Sequence, residues 1–497
     1  MSRYARHFRA ILAFACAVLL AFASTSLALA NVPIVQLSTD PYTNTTSQHQ
    51  TEVEPDSFSF GSTIVMATQV GRFNDGGSSN IGWATSTNGG ATWTHGFLPG
   101  ITVFQGGTFA RVSDASVAFD ARHSTWLISS LAISTSGGSV IGAAVVVNRS
   151  TDGGLTWSNP VTVKTAGSTG NLDKNWSVCD DTASSPFYGH CYTEWDNNAR
   201  GNRIQMSTST DGGLTWGAAH STANRASGLG GQPVVQPNGT VIVPIDNANE
   251  SSVLAFTSTN GGTSWSSTVT VASISTHTVA GNLRSGPLIS AEIDAAGKVY
   301  VVWQDCRFES GCSANDIVMS TSTNGATWTA VQRIPMDPVG SGVDHFIPGI
   351  GVDRSTSGTT AHLVLAFYYY PTSSCSTSTC QLDIGYTSST NGGNSWTART
   401  QITGPMTLSW LPNTTQGRMV GDYISTSFAG GVAFPGLAVA TIPDGGVDCS
   451  SGGAVCHESL DTVATGLAHQ IGRYTSQHDR VVFSGSPSAP SGPLTAR

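Results

Sequence analysis

An eight-residue motif recurs through this chain and sets the period of anything it can fold into. STNGGATW begins at Ser86, STDGGLTW at Ser150 and again at Ser209, and STNGGTSW at Ser258. A shortened STNGATW begins at Ser322 and STNGGNSW at Ser389. The closing tryptophans are Trp93, Trp157, Trp216, Trp265, Trp328 and Trp396, spaced 49 to 68 residues apart. Asp or Asn followed by glycine makes a tight turn, because glycine accepts positive φ. The Ser and Asp or Asn side chains can bond turn amides. Strand-like runs flank each copy, as SVIGAAVVVN (139–148) and NPVTVK (159–164) flank the second. Each motif is therefore expected to be a hairpin loop whose residues fold the chain and do no chemistry.

A second series of extended segments lies between the hairpins. It comprises EVEPDSFSF from Glu52, RVSDASVAFD from Arg111, DKNWSVCD from Asp173, GQPVVQP from Gly231, RSGPLISAEID from Arg284, DHFIPGIGVD from Asp344 and GRMVGDYIST from Gly417. Seven segments and six loops predict an all-β chain: a single seven-bladed β-propeller of four-stranded antiparallel blades, the last without its loop. Six blades is the alternative. In the second blade the strands are expected near 116–119, 126–130, 139–148 and 157–164. VPIVQLST from Val32 reads as an outermost strand without a blade of its own. It is expected to complete the last blade and close the ring, which removes free sheet edges.

The termini read differently. Arg3, Arg6 and Arg9, an apolar run from Ile11 to Phe22 and the small-residue site Ala28-Leu29-Ala30 have the form of an export signal. The expected organisation is a signal peptide at 1–30, the propeller at 31–483 and a Pro/Ser-rich tail at 484–497. Cleavage near Ala30 would release a secreted protein without membrane insertion. Removing the three arginines takes the formal net charge from −9 to −12. That balance argues against nucleic acid as a partner. Cys16 lies in the apolar run, and the other eight cysteines fall in close pairs: Cys179 with Cys191, Cys306 with Cys312, Cys375 with Cys380, Cys449 with Cys456. An even count in an exported chain points to disulfides. Zinc is the rival reading.

Charge is sparse, and on this topology most of it gathers at one mouth of the ring. Strand starts supply Glu52, Glu54, Asp56, Arg111, Asp114, Asp173, Lys174, Arg284, Asp344, His345, Arg418, Asp422 and Tyr423. Connecting loops add Arg72, Glu194, Asp196, Arg200, Asp246, Glu250, Asp305, Arg307, Glu309 and Asp316. For each residue alone, the bland reading is a solvated rim or a loop bond. For the face as a whole, the expectation is a ligand site.

The motif loops are Asp boxes and resemble those of the BNR-repeat sialidase superfamily, over residues 52 to about 443. The resemblance implies a secreted glycoside hydrolase acting on terminal acidic sugars of glycans, and the chain is expected to be a monomer needing no cofactor. It implies a clamp of three arginines on the substrate carboxylate, carried onto Arg111, Arg284 and Arg418. It implies Tyr423 as nucleophile with Glu54 as its partner, and Asp114 as acid/base. Asp173, Lys174, Asp344, His345 and Asp422 complete the expected substrate-binding set. The superfamily's F/Y-R-I-P sequence does not precede the first Asp box. Arg333-Ile334-Pro335 follows the fifth instead. Two other functions stay open. One is a lyase or exo-glycosidase on the same scaffold, with Tyr423 or His345 as base. The other is a non-catalytic module binding glycan or protein. Calcium on Glu54, Asp56, Asp114 and Asp422 is a further option, since these are hard oxygen donors. The mature chain is expected to start at Asn31. Intact mass of the exported protein checks this, and retention of residues 1–30 would refute it.

Overall fold

A computed structural model describes residues 32–468. The expected signal peptide at 1–30 and the expected tail at 484–497 lie outside the described residues. Those described are β-strands, turns and short 3-10 turns, with no α-helix among them. Among the described residues no helix is long and apolar enough to cross a membrane.

The strands pair as antiparallel meanders in chain order. Glu52–Phe60, Thr63–Arg72, Ser78–Ser86 and Thr94–Phe97 form the first. One pair, Ser78 with Val112, joins it to the second, which comprises Arg111–Asp120, Thr125–Ser136, Ser139–Ser150 and Val161–Thr165. Ser290–Ile293, Val299–Asp305, Asp316–Ser322 and Gln332–Arg333 form another, as do Asp344–Val352, Leu363–Tyr370, Gln381–Ser389 and Thr400–Thr407. The outermost strand of the second meander starts at Val161 rather than at Trp157, because the tryptophan belongs to the turn.

Three sheets depart from the four-strand expectation. Leu172–Cys179, Cys191–Asn197 and Arg203–Ser209 stand as three, with isolated bridges from Met206 to His220 and from Arg203 to Ser227 outside them. The sequence after Trp216, GAAHSTANRAS, lacks the β-branched run that an outer strand needs. The next innermost strand is split into Gly228–Leu229 and Val234–Val235, both pairing with Val241–Asn247. Pro233 has no N–H for a ladder at the break. Late in the chain, Thr426–Ala429 pairs with Val432–Pro435, while Leu437–Ala440 joins a separate sheet with Glu458–Val463 and Ile34–Gln36. The early strand thus pairs with the last one, Ile34 opposite Val463. The first inner strand also meets the late hairpin: Ser57 Oγ lies 2.8 Å from Ser425 Oγ, and Ser59 Oγ donates to Phe428 O at 2.6 Å.

Successive sheets share a core. Phe58, Ile81 and Trp83 of the first pack on Val112, Trp126 and Ile128 of the second. Leu127, Val145 and Val147 then pack on the Cys179–Cys191 pair and Trp195. Each Asp box locks one corner. Ser150 Oγ accepts from Gly154 N at 2.9 Å, and Asp152 Oδ1 accepts from Thr156 N at 2.9 Å. The serine bond recurs in the other five boxes at 2.8 to 3.0 Å. Gly154 has φ +82°, and a Cβ there would come within 2.8 Å of Val65 in the preceding sheet. Glycine is needed both for the turn and for the approach. All four cysteine pairs are disulfides, which replaces the zinc reading and suits an oxidising compartment. Trp396 is 2 % exposed, and its Nε1 donates to Gly393 O at 3.1 Å. Trp396→Ala is expected to cost about 3–5 kcal/mol of unfolding free energy. Denaturant titration measures it, and a loss below about 1 kcal/mol would contradict the packing role.

Candidate active site

Three inner strands carry the same irregularity, and it aims the site. In Glu52–Phe60 pairing skips from Val53 to Asp56, so Glu54 and Pro55 oppose the single Thr68. In Arg111–Asp120, Asp114 and Ala115 oppose Ser130. In Leu172–Cys179, Lys174 and Asn175 oppose Trp195. A bulge of this kind re-aims a side chain out of the pleat. The first residue of each pair has positive φ: Glu54 +57°, Asp114 +48°, Lys174 +50°. For residues with a Cβ this costs on the order of 1–3 kcal/mol each and persists only where the surroundings enforce it. A fourth bulge, in Asp344–Val352, places Ile347 at +51°.

The three bulge residues converge with Asp422, which lies between Gly417–Arg418 and Thr426–Ala429. Lys174 Nζ bonds Asp422 Oδ2, and it stands 3.9 Å from Glu54 Oε1 and 3.8 Å from Asp114 Oδ1. Arg284 grips the same Asp422 through Nε at 2.6 Å and through Nη2. Gln69 Nε2 donates to Glu54 Oε2, and Asp422 N donates to Glu54 Oε1 at 3.3 Å. Glu54, Asp114, Lys174 and Arg284 face a cavity of about 420 Å³, also lined by Arg72, Asp75 and Asp173, with Asp422 behind Lys174 and Arg284. A larger cavity of about 700 Å³ opens where the inner strands end, lined by Phe58, Phe60, Glu292 and Arg354 among others. The titratable cluster belongs to the smaller one.

Electrostatics divides the cluster. Burial pushes the Glu54 carboxyl up to about 7, with Lys174 opposing and Asp422 adding to the rise. Burial likewise pushes Asp114 up to about 6, against the pull of Lys174. Asp173 is raised, chiefly by burial. For Asp422 burial also acts upward, but Arg284 and Lys174 outweigh it and hold the carboxyl far below its usual range. Burial would lower Lys174, yet Asp422, Glu54 and Asp114 hold its ammonium well above the ordinary value. The same balance raises Arg284. One carboxylate is permanently charged, and two sit near neutrality.

Tyr423 lies beside the cluster, its ring centroid 6.0 Å from Lys174 Nζ, whereas Arg111, Arg418, Asp344 and His345 lie elsewhere. Arg111 turns to Asp75 at 2.5 Å and covers the Phe73 ring. Arg418 is bound to Asp448 at 2.6 Å and to Leu411 O at 2.8 Å. Neither lines the cavity with Arg284. Arg72 does, from the end of Thr63–Arg72, donating to Gly77 O at 2.7 Å. Tyr423 is buried, and burial together with Glu54 pushes its hydroxyl well above the usual range. That hydroxyl donates to Ala115 O at 3.3 Å, and the ring packs edge-on against Trp176. Among the described hydrogen bonds none joins it to Glu54. Asp344 and His345 belong to another network: Asp344 accepts from Asn315 N at 2.7 Å, and His345 Nε2 lies 2.9 Å from Asp337 Oδ2. Arg333 of the displaced Arg-Ile-Pro sequence pairs with Asp316 at 2.8 Å. Of the acids considered for calcium, Asp56 is taken by Val117 N at 2.7 Å, and the other three surround the Lys174 ammonium. Among the described residues no group of three or more His, Cys, Asp or Glu is arranged to hold a metal ion. Sequence reading missed Gln69, which carries no local signal in mid-strand, and Asp75, hidden in the turn sequence Asn-Asp-Gly-Gly.

A family model of the BNR repeat-like domain matches residues 131–351, so that stretch carries the repeat to which the Asp boxes are similar. No curated protein matches the chain by sequence. Similar solved structures include a protein of unknown function from Dyadobacter fermentans, 15 % identical, covering 72 % of this chain and 98 % of its own, with TM-score 0.44. A sialidase from Streptococcus pneumoniae is 12 % identical over 87 % of this chain and 70 % of its own, with TM-score 0.42. An α-L-arabinofuranosidase from Fusarium graminearum is 16 % identical over 71 % and 92 %, with TM-score 0.42.

Glu54 binds its proton more tightly when folded, at about 7 against an ordinary 4.5. The folded state therefore holds more protons across that window, and stability falls as pH rises through it. Glu54→Gln cannot titrate. Its melting temperature is expected to fall less than wild type between pH 4.5 and 7. Parallel thermal melts test this, and identical pH slopes would refute it.

Proposed function

We propose that the protein is an exported glycoside hydrolase whose sheets form a seven-bladed propeller, closed by the Ile34–Gln36 strand, with the Lys174 cavity as its active site. One observation carries the reading. Glu54 and Asp114 flank a single ammonium in an open polar cavity, both with carboxyls raised toward neutrality. Their oxygens, 3.9 and 3.8 Å from Lys174 Nζ, are at most about 8 Å apart, within reach of the carboxyl separations that glycosidases use.

The chemistry needs one acid and one carboxylate. Near neutral pH the higher-lying Glu54 retains a proton for the departing sugar oxygen. Asp114, titrating lower, supplies the carboxylate that activates water or stabilises the cationic transition state. The two titrate as a coupled pair, so a bell-shaped pH profile belongs to both. Lys174 and Arg284 favour the charged form of the second carboxyl and so oppose a second proton on the site. Arg72, Asp75 and Asp173 on the walls offer hydrogen bonds to sugar hydroxyls.

Tyr423 separates this mechanism from the tyrosine-nucleophile one that the resemblance implies. On a panel of fluorogenic glycosides, neutral and acidic, Glu54→Gln and Asp114→Asn are expected to lower kcat by about 10²–10⁴. Tyr423→Phe is expected to change kcat by only a few-fold. A Tyr423→Phe loss equal to that of Glu54→Gln would return the nucleophile to the tyrosine. Absence of turnover on every glycoside would refute the hydrolase reading.

A further inference from the structure

Resting on the reading of this cavity as a sugar site, we propose that Asp422 fills the cavity's anion cradle from within, so that the site selects neutral over acidic sugars. Arg284 offers its planar fork to Asp422 through Nε at 2.6 Å and Nη2, and Lys174 Nζ bonds the same carboxylate. A guanidinium fork joined by an ammonium is how a protein would hold the carboxylate of an acidic sugar. Here the chain's own carboxylate holds that place.

The occupant is firmly seated. Asp422 is 7 % exposed, and its backbone N–H donates to Glu54 Oε1 at 3.3 Å. The preceding Gly421 permits this, since a Cβ there would come within 2.9 Å of Glu54 N. The cradle is equally fixed: Arg284 N donates to Arg418 O at 2.7 Å. Other arginines that might receive an anion are committed, Arg111 to Asp75 and Arg418 to Asp448.

Charge balance points the same way. Arg72, Lys174 and Arg284 face Glu54, Asp75, Asp114, Asp173 and Asp422. Counting Arg111, which pairs with Asp75, and taking Glu54 protonated and Asp114 charged as the chemistry needs, four cations meet four carboxylates and no positive surplus remains. An incoming carboxylate must therefore displace Asp422 and leave it buried and unpaired, the costliest outcome for an ion pair. A neutral sugar binds through hydroxyls and displaces nothing.

The test compares wild-type full chain with Asp422→Asn by calorimetric titration. The acidic probes are N-acetylneuraminic and galacturonic acids, and the neutral ones are methyl galactoside and methyl arabinofuranoside. Wild type is expected to bind at least one neutral probe tenfold or more tightly than either acid. Asp422→Asn is expected to gain tenfold or more for an acidic probe, with the gain shrinking as salt rises. Acidic probes binding wild type as tightly as neutral ones would overturn the proposal. So would a folded Asp422→Asn that gains nothing, or no probe binding to either protein. Should Asp422→Asn fail to fold, the wild-type comparison decides alone. The stated selectivity without any glycoside turnover would sink the hydrolase reading and leave the cradle intact.

Discussion

A single ammonium group, Lys174 Nζ, holds together carboxyls that arrive from separate sheets. Glu54 comes from the first, Asp114 from the second and Asp422 from the segment after Arg418. Gathering them out of water would cost several kcal/mol per charge without a counter-ion. Lys174 and Arg284 meet that cost mainly at Asp422, where both make direct bonds. Glu54 and Asp114 are left near the ammonium without a direct bond to it. Their protons are therefore held more tightly than on a free carboxyl and come off close to neutral pH. One fully satisfied pair thus creates two half-satisfied neighbours, which is the condition acid–base chemistry requires.

The scaffold makes that gathering possible through repetition. Each Asp box ties one sheet corner, and a close-approaching glycine such as Gly154 lets neighbouring sheets pack face to face. Cores such as Trp83 with Trp126, or Leu127 with Trp195, then fix the angle between sheets. On this rigid frame three inner strands afford a bulge with a strained residue at its head. The strain is repaid by the ion cluster that the three heads form, so fold and site are mutually dependent. The bulge is also economical in sequence, since it changes only which way one side chain leaves the strand.

Much of this was legible beforehand. The tryptophan spacing announced the hairpins, and neighbouring cysteines announced all four disulfides. The list of ionisable strand starts already held Glu54, Asp114, Lys174, Arg284 and Asp422. What misled was reach. Arg111 and Arg418 start near the site, but their long side chains meet Asp75 and Asp448, each in a loop brought back by a strand pair. Asp344 and His345 begin an inner strand as the others do, yet their bulge head is Ile347, and their own polar groups close a network with Asn315 and Asp337. Gln69 was invisible because only its cross-strand position, next to the Glu54 bulge, gives it a task.

By itself, the sequence determined an all-β chain of repeated hairpins, their turns, the cysteine pairing and the stock of charged groups. All of these follow from local chemistry: backbone preferences, period-two patterning and short loops. Only the tertiary structure decided which acid meets which base. That outcome rests on bulge direction and on the angle between packed sheets, which join residues hundreds of positions apart. No local pattern encodes such a meeting, because a charge is satisfied by whatever the fold brings within a few ångströms of it.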